Sequence, residues 1–354
     1  MAFRVAAGAL ASTAGLLLGC AATTPSPPPP EETLVVLNAG DGSLTLLPVS
    51  VVAPAETIVL GDIGGTPLSL ATRGSQGLIT TGAGSTVARV DFSFGQSPVV
   101  YRLEAGAGAA GAAFVNDSIA YVANPFIDRA TRFNFKTGDT VSVATGHTPI
   151  AVAVTRGRVF ITNANLELPC AGPLPCVRGP SWLTVIDPER NVVIDSIALA
   201  GPGNALAIEV GGDGLLYVLS AGPGGTESGR LSIVDPVLRV DVGSFGGFGA
   251  LPNDLATDRR ERLFVTSLEA GLMEFNTRTR RVLRDAATAI PLQSGMAVAV
   301  DDEGLVYAIE SGSCAGTPGR IRIFRPNLTE ARIAPAGVCP VDAAIVKLPP
   351  PPSQ

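Results

Sequence analysis

The stretch Ala207-Ile208-Glu209-Val210-Gly211-Gly212-Asp213-Gly214-Leu215-Leu216-Tyr217-Val218-Leu219-Ser220 places two short apolar runs on either side of a turn built from Gly and Asp. Those turn residues tolerate the left-handed backbone of a tight hairpin, so the segment reads as strand, turn, strand. Further on, Arg230-Leu231-Ser232-Ile233-Val234-Asp235-Pro236 alternates apolar and polar residues and ends on a turn signal, a third strand. Fourth strands run out through glycine, as at Ala200-Gly201 and Thr145-Gly146. Outward from this unit, its Leu215 to Ser220 strand recurs as Leu34 to Ala39, Gly77 to Ala83, Ile119 to Asn124, Arg158 to Asn163, Arg262 to Ser267 and Leu305 to Glu310. Four strands repeating every 45 residues or so are the signature of a propeller blade, a small sheet that cannot bury its faces alone.

The ends of the repeat are the informative part. The first unit begins at Leu34 with its second strand and lacks an innermost one, whereas the chain finishes with Pro340-Val341-Asp342-Ala343-Ala344-Ile345-Val346. That segment matches the innermost strands Pro67 to Ala71, Pro149 to Ala153 and Pro252 to Ala256. The expectation is an all-β, seven-bladed β-propeller over 33–348, four antiparallel strands per blade, with the C-terminal strand completing blade 1. A ring of six or eight blades, or a sandwich of unrelated hairpins, are the alternatives.

Composition agrees. The 354 residues include 41 Gly and 29 Pro spread along the chain, which leaves little room for long helices. A net charge of −6 and a single histidine, His147, argue against a nucleic-acid partner and against histidine-based metal or triad chemistry. Gly106-Ala107-Gly108-Ala109-Ala110-Gly111 has the spacing of a phosphate-binding loop, but the next residues, Ala112 to Asp117, read as strand and turn, so it is a connection between blades.

Arg4 followed by the apolar run Val5 to Leu18 has the form of a signal peptide, 1–19. It ends in Leu17-Leu18-Gly19-Cys20, which resembles the lipobox of bacterial lipoproteins. The resemblance implies cleavage before Cys20, lipidation of its thiol and anchorage in the cell envelope; Ala21 after it implies the outer membrane. An ordinary signal peptide is the alternative. Residues 20–32, with Pro27 to Pro30, read as a stiff linker, and 349–354 as a Pro-rich disordered tail.

Tyr121-Val122-Ala123-Asn124, Phe160-Ile161-Thr162-Asn163, Tyr217-Val218-Leu219-Ser220 and Phe264-Val265-Thr266-Ser267 resemble the YVTN-repeat propellers of bacterial and archaeal surface proteins. The resemblance covers about Leu34 to Leu348 and implies the fold. It transfers no catalytic residue, because such propellers host binding and enzymatic roles alike.

After Cys20 four cysteines remain, an even number suited to an oxidising compartment. Three pairings are possible. In a propeller, the loops between second and third strands share a face with the connections into innermost strands. That placement predicts Cys170 with Cys176 in one loop, and Cys314 with Cys339 between the last blade and the closing strand. Free thiols are the alternative.

The longest loops, Leu166 to Ser181, Ala221 to Gly229 and Ser311 to Gly319, all join second to third strands and so mark one face as the binding side. Trp182, which ends the first of them, is a candidate ligand contact or a packing residue between blades. Asn204, Asn253, Asp254 and Asp342 stand at the entry of innermost strands, where their oxygens could hold calcium as in propeller lactonases. Turn capping is the plainer role. Arg259, Arg260, Arg262, Arg278, Arg280 and Arg281 gather on the opposite face as a candidate dock for an anionic partner, or as a self-paired rim.

These readings favour a non-catalytic binding or scaffolding lipoprotein with no cofactor, held to the membrane by its lipid and meeting a protein or glycan in the envelope. The alternative is an extracytoplasmic calcium-dependent hydrolase with its site at the channel.

Overall fold

A computed structural model describes residues 29–49, 55–93, 97–170, 175–225 and 228–349. The signal-peptide, lipidation and tail expectations, including Cys20, lie outside them. Blade 1 contains β1 (Glu31–Asn38), β2 (Ser43–Pro48) and β3 (Glu56–Val59). Blade 2 contains β4 (Ser69–Arg73), β5 (Gln76–Thr80), β6 (Thr86–Asp91) and β7 (Val99–Arg102). Blade 3 contains β8 (Ala112–Phe114), β9 (Ile119–Asn124), β10 (Arg129–Asn134) and β11 (Thr140–Ala144), and blade 4 contains β12 (Pro149–Thr155), β13 (Arg158–Asn163), β14 (Trp182–Asp187) and β15 (Val192–Ala198). Blade 5 contains β16 (Ala205–Val210), β17 (Leu216–Ser220), β18 (Arg230–Asp235) and β19 (Val240–Phe245). Blade 6 contains β20 (Pro252–Thr257), β21 (Arg262–Ser267), β22 (Gly271–Asn276) and β23 (Arg281–Arg284). Blade 7 contains β24 (Gly295–Val300), β25 (Val306–Glu310), β26 (Pro318–Phe324) and β27 (Glu330–Val338), and β28 (Pro340–Leu348) returns to pair with β1.

Each sheet has four antiparallel strands, and the chain is a seven-bladed β-propeller closed by its own C-terminal strand. Along the β1–β28 seam Leu34 faces Ile345 and Leu37 faces Asp342.

The core lies between blades. Seven hydrophobic clusters fill the ring, one for each pair of neighbouring sheets. In β1, Val35 and Leu37 pack toward blade 2 while Leu34 and Val36 pack toward blade 7. Both faces of the strand are therefore buried, which is why the second strands read as unbroken apolar runs instead of alternating ones.

A repeated hydrogen-bond staple closes the second strands. Asn163 donates to the Trp182 carbonyl at 3.1 Å and to Thr184 Oγ1 at 2.9 Å, and accepts from Gly146 N at 2.8 Å. Asn38 and Asn124 do the same work, meeting Thr45 and Thr131 of the third strand and the backbone of Gly337 and Gly108. A fully buried amide is thus satisfied on both sides at a point where strand, loop and connection meet.

Entry to the innermost strand is equally regular. Thr148, Asn204, Leu251, Ser294 and Cys339 each precede an innermost strand, and each has a positive φ between 48° and 57°. Just beyond, the ladder slips by one residue in the same five blades. This bulge turns the chain from the rim into the channel.

Candidate functional site

The innermost strands line a central cavity of about 960 Å³. Asp342, Ala207, Asp254 and Ala297 hold the same register position in four blades, directly after the entry bulge. Ala207 lines the channel at blade 5, Ala297 is buried in the core between blades 7 and 1, and carboxylates stand at blades 1 and 6. Glu209, two residues deeper in blade 5, adds a third.

Each aspartate spends oxygens on a neighbouring blade. Asp254 Oδ2 accepts from Val298 N of blade 7 at 2.9 Å, and Asp342 Oδ2 accepts from Leu70 N of blade 2 at 2.7 Å. Asn253 is the bulged residue of blade 6, and its amide donates to the Met296 carbonyl at 2.5 Å. These contacts tie blades across the channel mouth, so the three side chains serve the strand entries more than an open ligand site.

Burial raises all three carboxylates. Asp342 is pushed up to about 6 against the pull of its hydrogen bonds from Leu70, Ser69 and Ala343. Asp254 stands well above the usual carboxylate range, through burial first and the nearby charge of Asp342 second. Glu209 is pushed up to about 7 by burial, opposed by the Arg259 guanidinium. At the far mouth two ion pairs form: Lys347 meets Asp302 at 2.5 Å, and Arg73 meets Asp117 at 2.7 Å.

Calcium does not fit this donor set. Among the described residues no three His, Cys, Asp or Glu side chains converge on a common point. The aspartate oxygens already accept backbone N–H groups. Asn204, expected at the channel, is buried away from it, where its side chain donates to the Gly222 carbonyl at 3.2 Å. Its residue type answers the left-handed backbone at that position, which asparagine tolerates better than most.

Trp182 packs between blades. Its indole occupies the space where a Cβ on Gly146 would lie, 2.2 Å from Cζ2, so it covers the connection from blade 3 to blade 4. The long-loop face has the expected staples: Cys170 is bonded to Cys176 and Cys314 to Cys339.

The basic cluster divides by partner. Arg262 pairs with Glu274 at 2.7 Å and stacks on Phe264, Arg278 pairs with Glu261 at 2.6 Å, and Arg260 donates to the Asp302 carbonyl at 2.8 Å. Arg259 turns to the channel beside Glu209. Arg280 donates weakly to the Val242 carbonyl, and Arg281 is exposed without an ion pair among the described residues.

No family model and no curated protein matches the chain. Solved structures do. Hydrazine synthase of Kuenenia stuttgartiensis aligns over 81% of this chain and 91% of its own at 16% identity and a TM-score of 0.63. A functionally unknown protein of Desulfotomaculum acetoxidans aligns over 89% and 99% at 13% identity and a TM-score of 0.65. Apo AztD of Citrobacter koseri aligns over 90% and 98% at 11% identity and a TM-score of 0.56. At these identities the likeness is one of fold alone.

Proposed function

We propose that the chain is an extracytoplasmic propeller of the YVTN-repeat kind, anchored by a lipid on Cys20, that binds a protein or glycan partner through its long-loop face and performs no chemistry of its own. One observation supports this best. The three long loops, both disulfides and the carboxylate-lined channel mouth share one face, and a covalent staple restrains two of the three loops on the surface that a partner would meet. Preorganised loops lose little entropy on binding. Two disulfides also suit an oxidising compartment. Among the described residues no helix is long and apolar enough to cross a membrane.

Photo-crosslinking in the native envelope tests the reading. A crosslinker at Gly225 or Ala315 on the long-loop face is expected to trap a discrete partner, and one at Lys136 or Thr137 on the opposite face is not. Equal labelling from both faces, or none from the loops, would refute it.

A further inference from the structure

The face opposite the long loops is uneven in a way that the fold does not require. In blade 5 the turn between β18 and β19 presents Val237 and Leu238 at its tip, 66% and 70% exposed. The matching turns of blades 3, 4 and 6 present Lys136-Thr137, Glu189-Arg190 and Arg278-Thr279. Asp235 holds the apolar tip in place by accepting from the backbone of both residues, at 2.8 Å and 2.9 Å. Val240 beside it, Val192 and Val193 at the start of β15, and Val141 at the start of β11 are 43–52% exposed. Hydrogen bonds link these rims: Asn191 donates to the Val141 carbonyl, and Arg239 pairs with Asp195 at 3.1 Å. The result is a series of exposed aliphatic side chains along the lower outer edge of blades 3 to 5, interrupted by the Arg239–Asp195 pair.

Cations flank it. Arg190 on blade 4 and Arg280 and Arg281 on blade 6 are exposed and form no ion pair among the described residues. Acids stand nearby as well: Asp187 and Asp235 accept turn N–H groups and keep their charge, Asp195 pairs with Arg239, and Glu189 and Asp139 are exposed. Protruding aliphatic residues beside unpaired arginines match a bilayer surface, apolar within and anionic at the headgroups.

The start of the described chain points the same way. Glu31 lies opposite Leu348, at the exit end of the innermost strand and therefore on this same face. Ten residues separate it from Cys20. Fully extended they span at most about 40 Å, so a lipid on Cys20 keeps this face near the membrane.

We propose that the lower rim of blades 3 to 5, led by Val237 and Leu238, docks on the anionic bilayer, turning the long-loop face away from it. The orientation rests on the lipid-anchor reading; the contact itself does not. Full chain purified from cells is mixed with vesicles of phosphatidylethanolamine and phosphatidylglycerol carrying brominated chains. Tryptophan placed by Leu238→Trp is expected to be quenched, and tryptophan placed by Ala315→Trp on the far face is not. Arg280→Glu with Arg281→Glu, in a chain whose circular dichroism is unchanged, is expected to lose most of that quenching and about tenfold in affinity for these vesicles. No quenching at position 238, equal quenching at 315, or quenching indifferent to the charge reversal would overturn the proposal. Mass spectrometry of the N-terminal peptide scores the anchor separately: quenching at 238 with an unmodified Cys20 would keep the docking rim and dismiss the lipid.

Discussion

Glu209 is a carboxylate that the fold prefers protonated. Burial holds its proton up to about 7, against 4.5 for the ordinary group. A raised carboxylate leaves stability whole below the unfolded value and removes it as pH climbs to the folded one, because the folded state then binds more protons than the unfolded. Glu209→Gln is therefore expected to stabilise the chain at pH 8, by about 1–2 kcal/mol once partial solvent access is allowed for, and to leave it unchanged at pH 4. Thermal melts of both proteins at the two pH values measure this; a benefit that persists at pH 4 would contradict it. Strand entries alone do not reveal Glu209, which lies deeper in the channel. Its signal is one of register, two residues beyond Ala207, the position that Asp254 and Asp342 hold in their blades. Asn204 misleads for the converse reason: a residue chosen for backbone conformation looks, in one dimension, like one chosen for its oxygen. Trp182 is ambiguous in sequence; in the fold it is half-buried, with its indole against Gly146.

The strands are legible in sequence because each propeller sheet is buried on both sides by its neighbours, so propensity, turn residues and apolar runs agree. The bulges are not legible, since a one-residue slip changes no residue type. The cysteines are legible only through the fold, whose connectivity places residues 314 and 339 on one face. Their bridge spans 25 residues, against 6 for Cys170–Cys176. Replacing Cys314 and Cys339 by serine is expected to cost about 2 to 4 kcal/mol in urea unfolding. The same change at Cys170 and Cys176 is expected to cost about 1 kcal/mol less, following loop length. Equal losses would contradict the loop-length ordering, and no loss at Cys314 and Cys339 would mean that the longer bridge does nothing for the closure of the ring.

At the scale of the whole molecule, closure depends on a strand that is last in sequence and first in space. β28 supplies the inner edge of blade 1, and Ala343 and Ile345 contribute to the packing between blades 7 and 1. Deleting 340–354 would expose the edge of β1 together with two interblade cores, a template for pairing with other chains. The expected outcome is aggregated or protease-sensitive protein instead of a stable ring with one blade incomplete, read by size-exclusion chromatography and limited proteolysis. A monomeric, resistant product would show that blade 1 closes without its inner strand.

The antiparallel pairing of the first and last strands has a mechanical side. Glu31 and Leu348 leave from the same end of the ladder. Tension applied between the two termini would part its rungs one at a time. A load carried from the N-terminus to something gripped on the far side of the ring would instead pull β1 lengthwise against both neighbours, straining every rung at once. The joint is thus weakest to a tug between its own ends and strongest when β1 is drawn along its own length.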